Sequence, residues 1–154
     1  MAVPKRPEGY HSVTPYLICA GAARAIDFYK KALGATAVFR LPMGDKIGHA
    51  EIMIGDSHVM LSDEWPDMNL LGPKRRGGAT ASLMVYVDDV DATFAQAVKA
   101  GATVERECAD QFWGDRTGTV IDPFGHRWTL STHIEDVPPE ELERRMSEWS
   151  KQEA

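Results

Sequence analysis

The hydrophobic and polar positions in the first half of the chain follow two periods, one typical of strands and one typical of a helix. Residues 11–19 are rich in β-branched and aromatic side chains, which predicts a strand. Residues 22–33 carry apolar side chains at helical spacing and are followed by Gly34, so they predict a helix that ends there. Three further strands are predicted at residues 35–40, 46–54 and 58–62. The first half therefore has the order β-α-β-β-β.

The second half repeats this order. It predicts a strand at 81–87, a helix at 90–100 that ends at Gly101, and strands at 102–108, 117–121 and 126–131. The letters repeat as well: Gly34-Ala-Thr-Ala-Val38 resembles Gly101-Ala-Thr-Val104, and Val59-Met-Leu-Ser62 resembles Trp128-Thr-Leu-Ser131. A unit of this length buries too little surface to be stable alone, so we expect the two units to pack together.

The pattern therefore predicts an α+β fold with two paired βαβββ modules in one domain, residues 1–137. Module one spans about 10–62, module two spans about 81–133, and the turn-rich stretch 63–80 links them. A C-terminal helix is predicted at 138–154, because two prolines and acidic residues suit its first turn. One face of this helix carries Leu142, Met146 and Trp149. We expect that face to dock on the domain surface or on a partner subunit.

Composition and charge exclude several classes of function. The chain has 154 residues, 44% of them hydrophobic and 26% charged, with a formal net charge of -6. An acidic chain lacks the clustered basic surface that nucleic-acid binding requires. There is no apolar run of membrane-spanning length and no secretory signal, and two distant cysteines favour a reducing compartment. We therefore expect a cytoplasmic protein whose partner is a small molecule, not nucleic acid or a membrane.

Several motifs together resemble the vicinal oxygen chelate superfamily, which has the glyoxalase and bleomycin-resistance fold, and within it the PhnB-like subgroup. The resemblance covers about residues 10–136. It rests on Pro15-Tyr-Leu17, Ala25–Ala35, His49-Ala-Glu51, Val59–Asp63, Phe112-Trp-Gly-Asp-Arg116 and Asp122-Pro-Phe-Gly-His-Arg-Trp128. It implies modules whose sheets curl around a ligand-sized concave face, the cup, in a homodimer where both chains line each cup.

Metal-dependent members of that superfamily place four metal ligands on the cup, one on the first and one on the last strand of each module. Matched by motif position, the corresponding residues of this chain are Thr14, Met60, Ser82 and Thr129. Divalent metals in proteins prefer carboxylate, imidazole or thiolate ligands. Hydroxyls and a thioether do not provide them, so we expect no metal and no other cofactor at this site.

Strand alternation predicts what lines the cup instead. Thr14 and Tyr16 share one face of the first strand, and Ser82, Met84 and Tyr86 share one face of the fifth. Such a lining suits a flat, mostly apolar ligand held by a few polar groups. Trp113 and Arg116 precede the strand that faces the cup. Relatives that bind bleomycin-type antibiotics carry a similar Trp-Gly segment near the ligand cleft, so Trp113 is a candidate stacking platform.

Three hypotheses follow. The first is a metal-independent protein that binds an aromatic or hydrophobic small molecule. The second is a lyase or isomerase of the glyoxalase type that uses a displaced metal or an acid/base pair at His49, Glu51 and His58, which share a face of their strands. The third is a scaffold whose C-terminal helix serves partner contacts. At the loop before the cup strand, the alternatives to ligand binding are that Trp113 packs under the linker and that Asp115 and Arg116 form an ion pair.

Overall fold

A computed structural model describes residues 2–154. Module one begins with a short strand, continues with a helix and ends with three strands. Its elements are β1 (Tyr16–Cys19), α1 (Ala22–Leu33), β2 (Thr36–Met43), β3 (Lys46–Ile54) and β4 (Ser57–Asp63). The first strand is shorter than predicted, because pairing with β4 begins only at the carbonyl of Pro15, which accepts from the amide of Met60. Thr14 consequently precedes the strand.

Module two has the same order, followed by a terminal helix. Its elements are β5 (Ser82–Tyr86), α3 (Val90–Ala100), β6 (Thr103–Asp110), β7 (Asp115–Ile121), β8 (Arg127–His133) and α4 (Pro139–Gln152). The segment between the modules contains a 3₁₀ turn at Pro66–Met68 and the short helix α2 (Pro73–Arg76). Among residues 2–154, none of the helices has the length and apolar character needed to cross a membrane.

Each module forms a four-stranded mixed sheet, so the fold class is α+β, as predicted. The strand orders are β1-β4-β3-β2 and β5-β8-β7-β6, and they are equivalent. In both sheets the first strand pairs in parallel with the fourth, while the other pairs are antiparallel. The parallel pair requires a crossover, which α1 and α3 provide. As a result β1 and β5 each lie at the edge of their own sheet.

The last strand of each module also holds the start of that module's helix. At the end of β4, Oδ1 of Asp63 accepts from the backbone amides of Gly21 and Ala22 at 3.0 and 3.1 Å. At the same place in β8, Oγ1 of Thr132 accepts from the amide of Val90 at 2.9 Å. The first amides of a helix have no partner within the helix, so both side chains satisfy backbone donors that would otherwise be unpaired. The duplication therefore extends to the way each helix is fixed on its sheet.

The helix sides of the two sheets share one hydrophobic core, in which α1 contacts α3. At its centre the carboxylate of Asp122, only 3% exposed, accepts four hydrogen bonds. Oδ2 accepts from the Tyr29 hydroxyl of module one at 2.6 Å and from the Trp128 indole at 2.8 Å. Oδ1 accepts from the amides of Phe124 and His126. Four acceptances fill the hydrogen-bonding capacity of the buried carboxylate, and the one from Tyr29 links module one to module two.

This network gives a structural role to the Asp122–Trp128 motif. Gly125 adopts a φ of +92°, which an L side chain rarely adopts, and its amide closes the turn on the carbonyl of Asp122. His126 then reaches the carbonyl of Ile18 in module one at 2.9 Å. The motif therefore joins the modules and holds Trp128 in the core, where it is only 1% exposed.

Neither cysteine forms a disulfide. Cys19 is fully buried beside this core, and burial together with the charge of Asp122 raises the pKa of its thiol to about 12. A thiol that remains protonated is neither a nucleophile nor a metal ligand. Cys19 is thus a packing residue.

We expect Tyr29→Phe to lower the free energy of unfolding by about 2 kcal/mol, because a buried charged acceptor loses one donor. Urea denaturation measures the change. Tyr10→Phe is the matched control, since the ring of Tyr10 stacks on His58 and that contact is kept. Its effect should be within about 0.5 kcal/mol. Equal unfolding midpoints for the two variants would contradict the role given to the Asp122 network.

Candidate ligand-binding site

Each sheet has a second face, opposite the shared core, and we name these faces cup face one and cup face two. Cup face one carries Tyr16, Phe39, His49, Glu51, His58 and Met60. Cup face two carries Ser82, Met84, Tyr86, Asp115, Thr119 and Thr129. Three of the large side chains are half exposed, at 47% for Tyr16, 48% for Met84 and 61% for Tyr86. Both faces therefore offer aromatic and thioether surface to a ligand or partner.

Threonine and serine hydroxyls form a small cluster on cup face two. Oγ1 of Thr129 lies 3.0 Å from Oγ of Ser82 and 3.2 Å from Oγ1 of Thr119. Ser82 and Thr129, two of the four positions at which the resemblance implies a metal ligand, thus lie within hydrogen-bonding distance of each other. Met60, the third, is a thioether opposite Tyr16, and Thr14 precedes the strand. This donor set does not fit a divalent metal, so no metal-dependent step follows from it.

A chain of hydrogen bonds crosses cup face one from an exposed phenol to a buried carboxylate. The Tyr16 hydroxyl lies 2.8 Å from Nδ1 of His49, and Nε2 of His49 lies 3.2 Å from Oε1 of Glu51. A proton on Nε2 satisfies both bonds, since Tyr16 then donates to His49 and His49 donates to Glu51. Glu51 is only 5% exposed, and among residues 2–154 no donor reaches its buried Oε2.

His58 does not join this chain. Its ring stacks on Tyr10 with centroids 3.8 Å apart, and in the sheet it lies opposite Met53. Met53 lies four residues along β3 from His49, so His58 is separated from His49 by about 13 Å along the strand direction. Two ligands of one zinc ion would each have to lie about 2 Å from the metal. Within the described part of the chain no three His, Cys, Asp or Glu side chains are arranged to hold a metal. The predicted site therefore contains His49 and Glu51 but not His58.

Arg116 does not belong to the cup, contrary to the prediction. Its guanidinium forms two hydrogen bonds to Asp91 of α3, at 2.8 and 2.9 Å, and one to Asp110 at 3.0 Å. It therefore points to the helix side of β7. Its neighbour Asp115 points to the opposite side, because consecutive strand residues alternate. The suggested Asp115–Arg116 ion pair is for the same reason wrong.

Asp115 instead forms a polar cluster on cup face two that sequence reasoning missed. Its carboxylate accepts from the Tyr86 hydroxyl at 2.9 Å and lies 2.7 Å from Nδ1 of His133. Nε2 of His133 lies 2.7 Å from the exposed Asp136. Burial disfavours the charge on Asp115, but bonds from His133 and Tyr86 outweigh it and lower the pKa of this carboxyl. Hydrogen bonds to Asp136 and Asp115 raise the pKa of His133.

Trp113 lies in the loop between β6 and β7 and is 39% exposed. Its ring meets Phe112 edge-on, with centroids 5.1 Å apart. The next residue, Gly114, has a φ of +99°, and a Cβ there would lie 2.1 Å from the carbonyl oxygen of Glu135. A side chain at this position would clash with that carbonyl, so the loop that presents Trp113 requires glycine there.

Helix α4 supports the same loop from behind. Arg145 forms two hydrogen bonds to Glu135, at 2.7 and 2.9 Å, and one to the carbonyl of Phe112 at 3.1 Å. The ring of Trp149 lies 5.9 Å from that of Phe112. One end of the helix's apolar face thus contacts its own chain. Met146, at 48%, remains half exposed.

A cleft of about 790 Å³ lies where the two modules meet along β5. It is lined by Val13, Pro15, Leu33, Val59, Leu83 and Tyr86, among others. Its volume is in the range of small-molecule sites. Only Met84 and Tyr86 of the predicted ligand-binding residues contribute to it. Cup face one and the hydroxyl cluster therefore lie outside the cleft that a single chain encloses.

The fold consists of two βαβββ modules, each with one open sheet face. The sequence model of the Glyoxalase/Bleomycin resistance protein/Dioxygenase superfamily matches residues 10–130, and the chain belongs to this superfamily. An uncharacterized protein of Mycobacterium bovis is 42% identical over 140 residues, which are 88% of this chain and 92% of that one.

Solved structures agree with the fold. TioX from Micromonospora sp. ML1 superposes with a TM-score of 0.63 at 26% identity, over 83% of this chain and 100% of that one. The PhnB protein of Bacillus cereus superposes with a TM-score of 0.62 at 18% identity, over 79% of this chain and 99% of that one. The second likeness concerns the fold alone.

We expect His133 to titrate above the value of about 6.5 that is usual for histidine. The pKa of His133 is raised in the folded state, so its contacts stabilise the fold fully below the usual value of about 6.5. This stabilisation is lost as pH rises through the raised pKa. NMR of the ring protons against pH measures the midpoint. Asp136→Asn should lower it, because one of the two carboxylates is removed. A native midpoint at or below 6.5 would contradict the cluster.

Proposed function

We propose that the chain is a PhnB-like member of its superfamily that binds an aromatic or hydrophobic small molecule without a metal, in cups shared by two copies. The observation that carries this proposal is the chemistry of the two cup faces. They expose phenols and thioethers, while the four positions that hold metal in relatives carry hydroxyls and a thioether. The family membership and the fold support the general class of protein, and the side chains on the cup faces support the kind of ligand.

The lining favours a flat apolar ligand with a few polar groups. Tyr16 and Phe39 on one face and Met84 and Tyr86 on the other provide aromatic and polarizable surface, with exposures from 42% to 61%. Aromatic rings and sulfur contact a planar ligand favourably. The Ser82–Thr129 hydroxyls add a hydrogen-bonding anchor that neither carries charge nor requires a metal. Trp113 is assigned a stacking role at the rim.

A second copy is the partner we propose for the cup faces. Since the helix sides of both sheets are buried in one core, the cup faces point away from it and remain open in a single chain. Strands β1 and β5 lie at the edges of their sheets, so their outer backbone groups are not paired with another strand. Proteins usually protect such edges from pairing with other chains or cover them. Pairing β1 of one copy with β5 of another would join cup face one to cup face two in one curled sheet.

We expect the planar apolar dye 8-anilinonaphthalene-1-sulfonate to bind saturably, with increased fluorescence, and Trp113→Ala to weaken its binding about three- to tenfold. The loss corresponds to one aromatic stacking contact. Trp65→Ala is the matched control, because Trp65 lies in the segment between the modules, against Lys46. Circular dichroism verifies that both variants fold. Identical dissociation constants for native protein and Trp113→Ala would remove Trp113 from the site.

We expect sedimentation equilibrium to give about twice the chain mass of 17.0 kDa. Met84→Glu should shift the protein toward monomer, because it places a charge in the proposed interface. Met146→Glu on α4 is the matched control, since both methionines are 48% exposed. If Met146→Glu dissociates the dimer and Met84→Glu does not, the partner binds α4 and the proposed cup dimer is wrong.

A further inference from the structure

We infer that Tyr16, His49 and Glu51 form a metal-independent proton relay, which removes a proton from an aromatic carbon acid bound on cup face one. A carbon acid is a molecule with a weakly acidic C–H bond beside an electron-withdrawing group. The inference rests on the proposed function, because it requires the cup to bind a planar ligand. It goes beyond that function by assigning a reaction to one face.

The geometry is that of a base held by a third group. Tyr16 presents its oxygen at the exposed end, His49 lies behind it at 2.8 Å, and Glu51 lies behind His49 at 3.2 Å. Activated residues in enzymes share this order, in which a reacting hydroxyl donates to an imidazole that a carboxylate orients. His49 spans both hydrogen bonds with its two ring nitrogens, so its ring orientation is fixed.

Glu51 is buried, so its carboxylate is held beside His49 and away from solvent. Its carboxylate is 5% exposed, and within residues 2–154 its Oε2 receives no hydrogen bond. An uncompensated buried charge interacts more strongly with a nearby opposite charge than an exposed one does. A proton arriving on His49 creates that opposite charge. Glu51 is therefore the group that faces the charge formed on His49 during the step, and its unpaired oxygen is an observation that the fold alone does not explain.

The proton step balances without a metal or an oxidant. The ligand's C–H bond breaks, its electron pair remains on the ligand, and the proton forms a new O–H bond at Tyr16. The original Tyr16 proton moves to Nδ1 of His49. The His49 imidazolium keeps the proton on Nε2, which donates a hydrogen bond to Glu51. It later releases the extra proton to solvent. Tyr16 is the catalytic residue in this step, and His49 and Glu51 act through it.

The ring opening of 5-nitrobenzisoxazole tests the relay, because this planar aromatic carbon acid needs only a base. Loss of its C–H proton breaks the N–O bond and gives a nitrile and a coloured phenolate, which absorbance records. We expect the native chain to accelerate the reaction saturably over buffer. Tyr16→Phe and His49→Ala should each lower the rate about 100-fold, the size of a general-base contribution. Glu51→Gln should lower it as well.

Two controls separate the relay from a structural effect. Tyr10→Phe and Glu143→Gln are the matched variants and should keep the native rate, since Tyr10 stacks on His58 and Glu143 is exposed on α4. Added imidazole should restore the rate of His49→Ala, because it can occupy the space of the lost ring. A native rate equal to buffer, or native rates in Tyr16→Phe and His49→Ala, would overturn the relay. Dye binding measured on the same samples decides independently whether the cup binds a ligand.

Discussion

The carboxylate of Asp122 is the contact on which the arrangement of the two modules depends. It lies in a turn of module two, yet one of its four hydrogen bonds comes from Tyr29 of module one. A buried charge is tolerated only when it is fully paired. The turn, the helix α1 and Trp128 must therefore keep their relative positions for the core to close. The contact between α1 and α3 buries apolar surface, and the hydrogen bonds of Asp122 fix the relative orientation of the two modules.

The duplicated frame carries different chemistry on its two cup faces. Equivalent strands present Tyr16 with a histidine and a glutamate in module one, and paired hydroxyls with an aspartate cluster in module two. The residues that fix the frame point to the helix side or cap a helix, so they do not limit what the other side carries. The frame can be preserved while each face changes independently, which fits a fold known to host many activities.

Local patterns predicted the fold, and contacts between distant strands limited the prediction of the site. The helix ends at Gly34 and Gly101 were predictable, because a glycine that stops a helix is a local signal. The bond between Tyr16 and His49 was missed, because it requires knowing that β4 lies between β1 and β3. The His49–Glu51 pair was found, because a spacing of two on a strand places side chains on one face. The same alternation rule, applied to Arg116, would have placed it beside α3.

The edge positions of β1 and β5 have a thermodynamic consequence. If each cup is assembled from two chains, dimer assembly and ligand binding are linked equilibria. A ligand that contacts both chains then strengthens their association, and association strengthens ligand binding by the same factor. The apparent affinity for such a ligand then rises with protein concentration, and so does the apparent stability of the fold. The amount of protein present would itself set how tightly a small molecule is held.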